Sequence, residues 1–207
     1  MSTLRVLILV FDGVEALDFA GPFEVFTTAS RVYARQHPDQ PALFEVKSVA
    51  VAEVVQARAG LRLLADHTLA DAPAADVLVV PGGVIDAPLA SPETLAWIAA
   101  QAGGTRITAS VCTGAFLLAQ GGVLQGDARV TTHWEDIADL RERFPALDVV
   151  DDVRWVDNGR IVTSAGISAG IDMSLHLVER LAGRELALRT ARQMDFAWTT
   201  NLSSPSA

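Results

Sequence analysis

The sequence predicts an α/β fold, a three-layer α/β/α sandwich whose central sheet is mostly parallel, and three observations predict it. Short, almost wholly apolar runs at Leu4–Phe11, Val77–Val80 and Ile107–Val111 read as strands buried on both faces. Each run ends in small or loop-forming residues and then passes into a helix-like segment. Strands alternating with helices in this way pair in parallel and carry helices on both faces of the sheet.

The elements follow in chain order. After Leu4–Phe11, a helix is expected from Asp18 to about Arg35. Between Phe44 and Leu64 the apolar residues alternate in shorter segments with Gly60 between them, which predicts a β-hairpin or an edge extension. Ser91-Pro92-Glu93 opens a helix reaching about Ala102: serine caps it, proline fits its first turn, and glutamate suits the positive end of its dipole. Further helices are expected over Thr113–Gln120, Trp134–Arg143, Ser168 to about Leu181, and Glu185–Phe196. Asp157-Asn158-Gly159, between Val153–Val156 and Arg160–Thr163, marks a second hairpin. Residues 201–207 have the composition of a disordered tail, and the whole chain reads as one domain.

Composition narrows the function classes. The 207 residues carry 16 Lys plus Arg against 25 Asp plus Glu, a net charge of −9 that would repel phosphate backbones, so no nucleic-acid partner is expected. No apolar run is long enough for a membrane span, and no signal-peptide pattern opens the chain, which predicts a cytoplasmic protein. The single cysteine excludes an internal disulfide and any multi-cysteine zinc site. His37, His67 and His176 lack the spacing of a metal-ligand pair, so neither metal nor cofactor is expected.

In a parallel α/β sheet the functional crevice lies beyond the carboxyl ends of the strands, here at residues 12–18, 81–86 and 112–114. Cys112 stands where a buried strand turns directly into a helix, forming a nucleophile elbow. Its side chain is expected to project into solvent and face the helix's unpaired amides, which lower a thiol's pKa. The alternative is a core cysteine at a strand end. Asp18 opens its helix either as a cap or, just beyond a central strand, as a proton donor to the thiol. In Pro81-Gly82-Gly83 the glycines let the backbone approach a ligand, and the amides of Gly83 and Thr113 are candidates for an oxyanion hole. His133 is either a general base for the cysteine or a packing residue before the helix at Trp134.

Together, Asp18-Phe19-Ala20-Gly21-Pro22, Val79-Val80-Pro81-Gly82-Gly83, Ser110-Val111-Cys112-Thr113-Gly114-Ala115, Thr131-Thr132-His133-Trp134 and Ser164-Ala165-Gly166-Ile167-Ser168-Ala169-Gly170-Ile171-Asp172 resemble the DJ-1/PfpI superfamily over nearly the whole chain. The opening motif, the Cys112-Thr113-Gly114 elbow and the late Gly166–Asp172 motif look most like its isocyanide hydratase branch. The resemblance implies a flavodoxin-like sandwich that forms a homodimer. It also implies that Cys112 attacks the terminal carbon of an isocyanide while Asp18 handles the proton. The resulting thioimidate is resolved by water to an N-substituted formamide. Thr113 would support the elbow, and Ile167 would lie on a strained turn near the cysteine.

Two departures from relatives bear on activity. PfpI-type proteases have histidine directly after the cysteine, where this chain has Thr113, and DJ-1 itself carries glutamate where this chain has Asp18. The resemblance extends to the sensory domains of AraC-type regulators, which continue into a helix-turn-helix domain; Glu185–Phe196 is too short to form one. The alternatives to a hydratase are therefore a ligand-sensing module, or a glyoxalase or deglycase acting on reactive carbonyls.

Overall fold

A computed structural model describes residues 2–200; the tail expected at 201–207 lies outside the described residues. The elements run β1 (Leu4–Leu9), α1 (Ala16–Gln36), β2 (Phe44–Ala50), β3 (Val54–Gln56), β4 (Arg62–Leu64), β5 (His67–Thr68), β6 (Val77–Val80), α2 (Asp86–Leu89) and α3 (Pro92–Gly104). They continue through β7 (Ile107–Val111), α4 (Gly114–Gln120), β8 (Arg129–Val130), α5 (Ile137–Arg143), β9 (Asp148–Val149), β10 (Trp155–Asp157), β11 (Ile161–Ser164), α6 (Ala169–Ala182) and α7 (Arg184–Gln193).

Seven strands form the main sheet in the order β10-β11-β7-β6-β1-β2-β5. Every pairing is parallel except β10 with β11. The five central strands β2-β1-β6-β7-β11 thus follow the flavodoxin-like order, with the topological switch between β1 and β6. Alternate side chains of β1 point into opposite cores. Val6 and Ile8 pack with Val25, Phe26 and Met173 of α1 and α6, and Leu7 and Leu9 pack with Ile98, Leu117 and Leu140 of α3, α4 and α5. Both faces of the sheet are therefore covered, and full burial of each such side chain contributes about 1.5–3 kcal/mol.

The segment between Phe44 and Leu64 departs from the expectation. Phe44–Ala50 is a parallel strand of the main sheet beside β1, and only the later part forms a hairpin, β3 with β4, outside that sheet. The alternation that suggests a hairpin has a cause distant in sequence: Lys47 and Ser48 both bind Asp66, on the connection that leads into the two-residue strand β5. The second hairpin is found two residues later than its first expected strand, as β10 and β11 around Asn158-Gly159. The expected helix at Trp134 begins as a 3-10 turn over Trp134–Asp136 and becomes α-helical at Ile137.

Candidate active site

The loops after β1, β6 and β7 meet at the carboxyl edge of the sheet. Cys112 follows β7 with φ of 56°, a left-handed conformation that a non-glycine residue adopts only when its surroundings enforce it. Three contacts do so. The Cys112 amide donates to the carbonyl of Ser164 at 3.2 Å, and its carbonyl accepts from the buried Thr132 hydroxyl at 2.8 Å. On the far side, Gly114 lies so close to the Val80 and Pro81 carbonyls that a Cβ would overlap them.

The side chain does not project into solvent as expected: Cys112 is 7% exposed. Burial and the neighbouring Asp18 charge push its thiol up to about 12, against the weaker opposing effect of the Thr113 amide. The Thr113 amide before α4 is therefore outweighed by desolvation.

Asp18 lies in the first turn of α1 and is fully buried. It does not cap its helix. Instead Oδ2 accepts from the amide of Gly82 at 3.1 Å, across 64 residues. No donor with full hydrogen-bond geometry reaches Oδ1, which is buried, although the Cys112 thiol and the Ile167 amide act on the carboxyl group. Burial raises the Asp18 pKa from an ordinary 3.8 to about 6; the Gly82 amide works against this and the Glu15 charge adds to it. Glu15 is held in turn by Arg58 at 3.5 Å.

The expected oxyanion hole is corrected by the hydrogen bonds. The Gly83 amide donates to Thr113 Oγ1 at 3.0 Å, and that hydroxyl lies 3.1 Å from the Gly83 carbonyl, so it joins the β6 and β7 loops. With the Gly82 amide on Asp18, neither glycine has an amide left for substrate. Their smallness is what the site uses: a Cβ on Gly82 would fall 2.5 Å from Thr113 N and 3.0 Å from Cys112 Cβ. The Thr113 amide remains beside the sulfur.

Ile167, with φ of 58°, forms the turn before α6, and its amide weakly favours the ionised form of Asp18. His133 joins the periphery: its ring packs on Gly166, Nδ1 is buried without a partner, and Nε2 faces Glu135 at 3.5 Å. Among the described residues no hydrogen bond joins it to Cys112. Asp136, beside His133, adds negative charge near the thiol. Among the described residues no cluster of three His, Cys, Asp or Glu side chains could hold a metal ion. Sequence reasoning missed Thr132, which bonds the Cys112 carbonyl from another loop, and Glu15 and Asp136, whose charges act on Asp18 and Cys112.

The site can thus hold one proton between a buried thiol and a buried carboxylate. Residues 4–180 match the family described as DJ-1/PfpI. The chain belongs to the DJ-1/PfpI family. Among DJ-1/PfpI relatives, it is 36% identical over 195 residues to the isonitrile hydratase of Pseudomonas putida, covering 94% of this chain and 79% of that one. It is 39% identical to the HTH-type transcriptional regulator GbdR of Pseudomonas aeruginosa, a match covering 64% of this chain and only 36% of the regulator. In structure it resembles a THiJ/PfpI family protein from Pseudomonas syringae, with TM-score 0.82 and 26% identity, covering 100% of this chain and 80% of that one. Drosophila melanogaster DJ-1beta shares the fold, with TM-score 0.79 and 24% identity, covering 95% of this chain and 100% of that one.

Proposed function

We propose that this DJ-1/PfpI protein is a cofactor-free, cysteine-dependent hydratase that converts an isocyanide to an N-substituted formamide. The observation that carries the reading is the pairing of the Cys112 thiol with the desolvated carboxyl of Asp18, which the Gly82 amide holds in place. At neutral pH the pair holds one proton, on sulfur, because the thiol lies far above the carboxyl.

The geometry supports Asp18 as the carrier of that proton. Its carboxylate accepts the S–H proton as sulfur bonds to the terminal isocyanide carbon, then returns it to that carbon, giving R–N=CH–S–Cys112. Covalent attachment divides a hard addition into two easier ones. Water then adds to the carbon while nitrogen gains a proton, and the tetrahedral adduct R–NH–CH(OH)–S–Cys112 breaks its C–S bond, its hydroxyl proton returning to sulfur and R–NH–CHO leaving. The sum is one isocyanide plus one water. A slim, linear –N≡C head suits a sulfur that is only 7% exposed, and the exposed Leu17, Val84 and Ile167 adjoin site residues in sequence and favour an uncharged organic group behind it.

Following formamide formation from cyclohexyl isocyanide spectroscopically tests the reading. Wild type turns over, Cys112→Ala does not, and Asp18→Asn retains at most about a hundredth of the rate, the usual scale of a lost general acid–base. The wild-type rate rises with pH through about 6 as Asp18 ionises. Wild-type-like turnover in Asp18→Asn removes its assigned role. A second reading, a ligand-sensing domain, is favoured by the similarity to GbdR; it predicts isocyanide or another small molecule bound without turnover.

A further inference from the structure

Ile167 is β-branched and left-handed, and such a residue costs about 1–3 kcal/mol unless its neighbours over-determine it. On one side of the turn, the His133 ring fills the space above Gly166 and Val111 fills that above Gly170. On the other side stand Arg154 and Asp172. The Arg154 carbonyl accepts from the Ala165 amide at 2.9 Å, and its guanidinium donates to Ser168 Oγ at 3.3 Å, so one residue grips both ends of the turn.

That guanidinium is itself fixed. It makes two hydrogen bonds to Oδ2 of Asp172, one of them from Nε at 2.9 Å, while Asp172 Oδ1 accepts from the Thr199 amide at 2.7 Å. Asp172 is fully buried on α6, so these bonds account for its carboxylate. With Asp172 buried and Arg154 partly exposed, such a pair is poor evidence for added stability, and its best-attested use is to specify one geometry.

We infer that the Arg154–Asp172 pair is a positioning latch for the site: it holds the strained Ile167 turn, whose leading Ala165 carbonyl accepts from the Cys112 amide at 3.4 Å, in the one conformation that keeps the Ile167 amide near Asp18, and so sets the readiness of Cys112 to react. Neither residue touches the thiol; both act through the turn. The inference rests on Cys112 being the nucleophile but not on the isocyanide as substrate, and its test therefore reads the thiol directly.

The experiment is the rate of Cys112 alkylation by iodoacetamide from pH 4.5 to 8, followed by mass, in wild type, Arg154→Gln and Arg154→Lys, each with and without Ile167→Gly. The charged groups facing the Cys112 thiol and the Asp18 carboxyl are Glu15 from just before α1, and Asp136 with its neighbour His133 from the turn before α5. All are unaltered in these variants. In wild type the rate rises as Asp18 ionises. Releasing the turn withdraws an amide that favours the ionised form, so the inflection in Arg154→Gln moves to higher pH. A shift of about half a unit lowers the rate at pH 5 about threefold.

Arg154→Lys, which keeps the charge but not the fork, gives an intermediate profile and serves alone if the glutamine variant does not fold. Glycine at 167 adopts positive φ without strain and needs no latch, so in that background the Arg154 substitutions shift the profile less. A profile unchanged from wild type, whatever the melting temperature, overturns the latch. So does an equal shift in both backgrounds.

Discussion

At the scale of single residues, Asp18 carries a cost that can be measured. Its carboxyl is raised from 3.8 to about 6 by burial, so between those values the folded chain binds more protons than the unfolded one. Stability therefore falls as pH rises through that window and is level above it, by about 3 kcal/mol at most. Asp18→Asn removes the ionisation, and denaturant unfolding at pH 4, 5, 6 and 7 is expected to lose this slope while turnover is lost with it. A slope unchanged in the variant would assign it to another group. Thr132 works in the opposite sense, since its hydroxyl donates to the carbonyl of the strained Cys112 itself. Thr132→Val leaves that acceptor unpaired in a buried setting and is expected to cost about 1–3 kcal/mol in urea unfolding, with slower alkylation of Cys112.

At the scale of elements, the close approach of β6 to the start of α4 makes Gly114 irreplaceable. A methyl there meets the backbone carbonyls of Val80 and Pro81, which cannot rotate away as a side chain could. Gly114→Ala is expected to lose more than about 3 kcal/mol, whereas Ser91→Ala, which removes the cap oxygen that accepts from the Thr94 amide at the start of α3, loses about 1 kcal/mol. Comparable losses in the two melts would mean the elbow tolerates displacement. These elements also mark what the sequence made legible. Strands buried on both faces announce themselves by composition, Val77–Val80 because every side chain is apolar and Ile107–Val111 because Thr108 and Ser110 are small enough to be buried among Ile107, Ala109 and Val111, and the cap at Ser91 is a local signal. Phe44–Ala50 was misread because Lys47 and Ser48 answer to Asp66, a partner 18 or 19 residues away. The site divides in the same way. Cys112, Asp18, Thr113, Gly82, Gly83 and Ile167 lie at motif positions and are brought together, but the use of the glycine amides, and the Arg154–Asp172 pair, depend on contacts between loops that no local pattern encodes.

At the scale of the molecule, the charge of −9 is spread over a chain whose isoelectric point is about 4.8. Mutual repulsion favours solubility at neutral pH and vanishes near that point. Light scattering of a dilute solution is expected to peak close to pH 4.8 and fall again on either side; a monotonic rise toward acid would indicate unfolding instead. Among the described residues, no helix is long and apolar enough to cross a membrane. The outermost strands of the main sheet are β5, of two residues, and β10, of three. Strands so short present almost no row of open amides and carbonyls for an incoming chain to template upon. Growth of the main sheet by an eighth strand is thereby discouraged at both ends, so its central strands keep the fixed set of neighbours that holds the loops of the site in register.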